Sequence, residues 1–124
     1  MANNKQKFVA MSKVTNGNNR KDIDFLMKLG EEVVLTFNSV RDQVFFTNKK
    51  VVTLDVQGLT GKKVEYMCIP YSKITAISAE TNGSFDLDSE LKIWTSGLGL
   101  FGIEFIRGTD VKEIIKLVND NMEY

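Results

Sequence analysis

Histidine is absent from this chain of 124 residues, and cysteine and proline occur once each, as Cys68 and Pro70. Without histidine, the commonest general base and the commonest metal ligand are both missing. A single cysteine excludes an internal disulfide and any multi-cysteine metal site. No apolar run approaches the ~20 residues that cross a bilayer as a helix. The opening Met1-Ala-Asn-Asn-Lys-Gln-Lys lacks the apolar core of a secretory signal, so a cytoplasmic location is expected. Charge of one sign is not in excess either. The 16 basic and 16 acidic residues cancel, which leaves no overall field to hold nucleic acid or an acidic membrane.

What is present suits one soluble domain: 43% of residues are hydrophobic and 26% charged. Charge is nevertheless uneven. Up to residue 28, Lys5, Lys7, Lys13, Arg20, Lys21 and Lys28 face only Asp22 and Asp24, and asparagine is frequent. Residues 1–21 show no sustained period and are expected to form a flexible or partner-dependent arm. Through it the chain could touch nucleic acid or lipid headgroups, although neutral net charge argues against nucleic acid as the main partner. Residues 22–30 carry Ile23, Leu26 and Met27 at helical spacing, with acidic residues first and Gly30 last, which predicts a short helix.

From residue 31 the period changes to two, and a domain over 31–122 is expected. Strands are predicted at 31–40, 43–48, 51–57, 63–69, 74–80, 91–95 and 103–107. Arg41-Asp42, Asn48-Lys49, Gly58 to Gly61 and Asn82-Gly83 supply turns, and Pro70 ends its strand because it cannot donate to a ladder. After Gly108, Val111, Ile114, Ile115, Val118 and Met122 form one apolar stripe, with Asp110 and Glu113 spaced as a capping pair. Short connections predict a mainly β fold: a seven-stranded antiparallel meander, bent into a small barrel and capped by the carboxy-terminal helix.

The apparent motifs fail on spacing or context. Gly97-Leu-Gly99-Leu-Phe-Gly102 has the dinucleotide pattern, but a strand follows it where a helix amino end is needed. In Gly58-Leu-Thr-Gly-Lys62-Lys63 the glycines stand too close for a phosphate loop. Asp86-Leu-Asp88-Ser-Glu90 begins like a calcium loop, yet Leu91 and Gly97 occupy its glycine and glutamate seats. Cys68, with no histidine to activate it, reads as a small core residue. No catalytic residue, metal site or cofactor is expected.

The informative feature is surplus hydrophobicity. Val44-Phe45-Phe46, Met67-Cys68-Ile69 and Phe105-Ile106 place apolar groups on both faces of a strand, and Trp94 follows Ile93. Self-association would cover the excess. Phe45, Met67, Ile69, Trp94 and Ile106 are the candidate oligomer interface, subject to a register in which a one-residue slip exchanges the faces.

Four strings in order, Phe45-Phe-Thr-Asn-Lys-Lys-Val-Val, Asp55-Val-Gln-Gly-Leu-Thr-Gly-Lys-Lys-Val-Glu-Tyr, Ile69-Pro-Tyr-Ser-Lys-Ile-Thr and Phe85-Asp-Leu-Asp-Ser-Glu-Leu-Lys-Ile-Trp94, resemble the bacterial pleckstrin-homology-like domain family. The resemblance spans about residues 30–121 and omits the first 20 or so. It implies a bent seven-stranded barrel with a terminal helix, ring-like homo-oligomers and no established activity.

Phosphoinositide recognition is not implied. Lipid-binding relatives spread a basic motif over the first hairpin, whereas here that turn offers Arg41 and Asp42. Arg41, Lys62 and Lys63 share one end of a meander and are the candidate anion-binding set. Leu98, Leu100 and Phe101 would dip into a lipid interface in that reading. The expected function is a non-catalytic binding or scaffold module that works as a homo-oligomer, with a protein partner favoured over a lipid or small anion.

Overall fold

A computed structural model of the chain describes residues 5–81 and 88–122. The Asn82-Gly83 turn and Asp86 of the acidic loop lie outside the described residues.

The chain forms eight strands and one α-helix: β1 (Lys5–Lys13), β2 (Val33–Asn38), β3 (Gln43–Thr47), β4 (Lys50–Gln57), β5 (Lys63–Pro70), β6 (Ile74–Glu80), β7 (Ser89–Thr95), β8 (Gly99–Phe105) and α1 (Val111–Asn121). The seven predicted strands are therefore present as β2 to β8, and Pro70 ends β5 as expected. Asp110 caps α1 by accepting from the Glu113 N–H at 3.4 Å. Val111, Ile114 and Val118 of the predicted stripe are buried.

Three expectations change. The segment expected as a flexible arm contains a strand, so the sheet has eight members rather than seven. The meander is interrupted, because the order is β5-β4-β3-β2-β1-β8-β7-β6 and β1 runs parallel to β8 while antiparallel to β2. The sheet also does not close into a barrel: β5 and β6 are its two ends.

Strand β1 escapes a search for period two because of a bulge. Phe8 stands opposite Ile103 and Met11 opposite Phe105, so β1 has one residue more than β8 across this stretch. Ala10 absorbs it with φ 55°, and Phe8 and Met11, three apart, both enter the core. Past the bulge, Ser12 and Lys13 change partner to β2. One strand thus joins two half-sheets, β2–β5 and β6–β8. Both halves face one buried cluster: Phe37 of β2 meets Phe46 of β3 at 5.9 Å and Phe105 of β8 at 4.8 Å between ring centres. Burial on the concave side of both halves, with α1 packed mainly on β6 and β7, keeps the sheet bent.

The predicted helix at 22–30 is two single 3-10 turns, Arg20–Asp22 and Asp24–Leu26, closed by three-residue hydrogen bonds such as Leu26 N–H to Ile23 O at 2.8 Å. Its three apolar residues at that spacing nevertheless gather on one side. Ile23 is fully buried on the outer face of the first half-sheet among Phe45, Val52 and Leu54, flanked by Leu26 and Met27. Burying Ile23 there contributes roughly 2–3 kcal/mol.

Candidate functional site

That outer cover answers most of the surplus hydrophobicity. Phe45 was expected to face outward and does, but it lies wholly buried under the chain's own 20–27 segment. Ile69 faces inward and is buried in the main core, and Met67 is half-buried against it. The register explains the reversal. Val52 stands opposite Cys68 and Leu54 opposite Tyr66, so the even positions of β5 take the outer face and Met67 and Ile69 the inner one. Cys68, expected in the core, is exposed. Of the five interface candidates, Trp94 (37% exposed) and Ile106 (41% exposed) are exposed, and Met67 is half-buried.

A second apolar patch was not foreseen. Tyr66 of β5 is 44% exposed, and Phe25, on the covering segment, is 68% exposed. Their rings meet edge to face at 5.1 Å. Val64, two residues from Tyr66 on the same face of β5, is exposed beside them. Phe25 could not be placed from sequence, because a single 3-10 turn has too little periodicity to say which side it presents.

The cationic end has a definite construction. Ser39 N–H donates to Asp42 O, and the Ser39 hydroxyl accepts from Asp42 N–H, which closes the β2–β3 turn. Asp42 Oδ1 then accepts from Val56 N–H at 2.9 Å, and Arg41 Nη2 donates to Gly58 O. Arg41 therefore leans on the β4–β5 turn, where Gly61 has φ 68° and a conformation that favours glycine. Lys62 and Lys63 leave that turn exposed. The three expected cations thus share one end, and the fully exposed Val40 and Leu59 stand at the tips of the same two turns. Of the residues expected to enter lipid, Phe101 is buried, Leu100 half-buried and Leu98 exposed.

The most enclosed polar group was not anticipated at all. Glu31, with no side-chain exposure, accepts at Oε1 from Lys50 Nζ at 2.8 Å, and the Lys50 side chain is only 8% exposed. Glu31 also accepts from the Thr47 hydroxyl and from Lys28 N–H. Lys50 donates a second bond to Leu26 O at 2.7 Å, and Arg20 reaches Glu31 O. Burial alone would push the Glu31 carboxyl up, but these donors outweigh it and hold it below its ordinary value. Tyr71 donates to Thr47 O at 2.7 Å, and burial, then the Glu31 charge, pushes its phenol well up. This network latches the covering segment onto the β3–β4 hairpin.

Across the outer face of the second half-sheet, Glu80, Glu90 and Glu104 stand directly opposite one another on three strands, bridged by Lys7 to Glu104 and, at 3.8 Å, to Glu90. With Lys13 on Glu113 and Arg20 on Asp24, several cations of the expected arm already have internal partners. Gly97 lies in the β7–β8 turn and Gly99 opens β8, both with positive φ, and Gly102 sits within β8 under Glu90, so no helix end faces this glycine run.

The family model described as the bacterial PH domain matches residues 3–122. The chain belongs to that family. The uncharacterized Bacillus subtilis protein YjqA is 42% identical over 101 residues, covering 80% of this chain and 81% of its own. A solved Shewanella loihica PV-4 protein of the DUF1696 family, with a pleckstrin-homology domain, superposes with a TM-score of 0.77 at 38% identity, covering 90% of this chain and 96% of its own. A pleckstrin homology domain from Shewanella amazonensis SB2B superposes at 0.63 with 39% identity, over 84% and 90% of the two chains.

The match beginning at residue 3 brings the amino-terminal strand inside the bacterial PH domain, where the expected boundary at 31 had excluded it. In this bacterial PH domain, as described, no helix is long and apolar enough to cross a membrane. Among the described residues, no three His, Cys, Asp or Glu side chains are grouped to hold a metal ion.

Proposed function

We infer that this bacterial PH domain is a non-catalytic binding or scaffold module that works as a homo-oligomer. The observation that carries the reading is an open sheet with accessible apolar side chains on both of its halves: Phe25, Val64 and Tyr66 at the β5 end, Trp94 on β7 and Ile106 just after β8. A free strand edge is a template for pairing, and apolar area carries roughly 25 cal/mol per Å² when removed from water. Light scattering coupled to size exclusion tests this at micromolar concentration. A discrete multiple of 14.0 kDa is expected. A mass equal to one chain across about two decades of concentration overturns it.

A second reading has its own observation. Arg41, Lys62 and Lys63 stand at one end with the fully exposed Val40 and Leu59, a pairing of cations and apolar tips that suits an anionic lipid surface or a small anion. Sedimentation with anionic and neutral vesicles at two salt concentrations decides it. Salt-sensitive pelleting with anionic vesicles, lost in Lys62→Glu with Lys63→Glu, supports the reading, and absence of pelleting at low salt removes it.

A further inference from the structure

Strand β6 ends the second half-sheet, and its edge away from β7 has no strand partner among the described residues. Every second residue of such an edge turns its N–H and C=O away from the sheet. Helix α1 packs on the inner side of this edge. Between strand and helix lies a groove of about 610 Å³, floored by Ile77, Ile115 and Met122 and rimmed by Lys116 and Asp120. The three floor side chains are half-buried against the main core. Lys116 and Asp120 pair with each other at 2.7 Å, so the rim carries no net charge.

Register fixes which way each position of β6 points. Ile77 and Ala79 stand opposite Ile93 and Leu91 of the core, whereas Ala76, Ser78 and Glu80 stand opposite Trp94, Lys92 and Glu90 on the outer face. A bulge at Thr75 shifts the register between Ile74 and Ala76, so the regular ladder is offered over 76–80. Glu80 ends that stretch beside a like charge, since it faces Glu90, which in turn faces Glu104. Lys7 reaches Glu90 and Glu104 from the far side, and among the described residues no cation pairs with Glu80. The open edge therefore calls for a cation beside Glu80.

We propose that β6 and α1 form a docking groove for an extended peptide of another protein, added antiparallel to β6 with a lysine or arginine opposite Glu80 and aliphatic side chains turned toward α1. This rests on the binding-module reading and names its partner, and it holds for one copy of the chain or several. Residues opposite each other in a ladder share a face. The first peptide residue, opposite Glu80, thus points outward as the cation. The second and fourth fall opposite Ala79 and Ile77 and point inward, the fourth over the groove floor. The third, opposite Ser78, suits serine or threonine. The chain's own other edge, β5, joined to β6 in one continuous sheet would turn Lys63 and Glu65 onto these aliphatic positions, so the groove suits a different protein.

The test uses the full chain and a fluorescein-labelled synthetic peptide, Lys-Val-Thr-Leu-Thr, read by anisotropy. Saturable binding with a Kd of roughly 1 mM or tighter is expected. Glu80→Lys is expected to weaken it about threefold to fivefold, and a peptide with glutamate in place of its lysine to recover that loss. Met122→Trp, which fills the groove at the end of α1, is expected to weaken binding with an unchanged circular dichroism spectrum. The peptide is also expected to slow amide hydrogen exchange over 76–80 without changing the mass by light scattering. Absence of saturable binding, or binding indifferent to both Glu80→Lys and Met122→Trp, overturns the groove and leaves self-association standing. An oligomer that falls apart as the peptide binds assigns the groove to a second copy and overturns the proposal as well.

Discussion

Glu31 and Lys50 form a buried ion pair, 2.8 Å between Oε1 and Nζ, that ties a segment of two single 3-10 turns to a β-hairpin. The lysine bonds to both Glu31 and Leu26, so one ammonium anchors two points of the cover over Phe45 and Val52. Removing one member leaves the other charged and enclosed. Lys50→Met is expected to lose about 3–5 kcal/mol in urea unfolding. Glu31→Leu combined with Lys50→Met is expected to lose less than the two single changes added together.

The same pair sets an acid limb. Glu31 has a folded-state pKa below its ordinary value, so its contribution is complete above the ordinary carboxylate range and is lost as pH falls through the lowered value. The urea midpoint is expected to be level near neutrality and to fall below about pH 4, and Glu31→Gln is expected to flatten that fall. An unchanged slope in the variant contradicts the assignment.

The cover is held by packing as well as by charge. Ile23→Ala is expected to cost about 2–4 kcal/mol, because the side chain is fully buried between Phe45 and Val52. Phe25→Ala, on the solvent side of the same segment, is expected to stay within about 0.5 kcal/mol of the parent in a dilute thermal or urea melt.

Strand β1 is the join between the half-sheets, so deleting residues 1–13 is expected to abolish the cooperative unfolding transition rather than to trim an appendage. Phe8 and Met11 would leave the core, and β2 and β8 would each lose their shared neighbour. A truncated chain with the parent's melting transition contradicts this role.

Ala10 holds φ 55° in the β1 bulge, a left-handed conformation that costs a non-glycine residue roughly 1–2 kcal/mol. Glycine removes that cost and gives back part of it as unfolded-state entropy. Ala10→Gly is expected to gain up to about 1 kcal/mol, and Ala10→Val to lose stability, as read by thermal denaturation.

Local chemistry made much of the fold legible. The seven strands β2 to β8 follow from period-two runs between turn residues, and α1 from its stripe and the Asp110 cap, because these signals depend on neighbours within a few positions. The clustering of Arg41 with the turn before Lys62 and Lys63 follows from hairpin parity alone. Three things required the tertiary structure. The Ala10 bulge destroys the alternation that would reveal β1, and whether a terminal strand finds a slot depends on β8 and β2, which are distant in sequence. Register decided that Ile69 points in and Tyr66 out, since apolar residues at successive positions satisfy either choice. The pairing of Glu31 with Lys50 depends on a chain path that buries both, and a charged residue's spacing carries no mark of the burial it will meet.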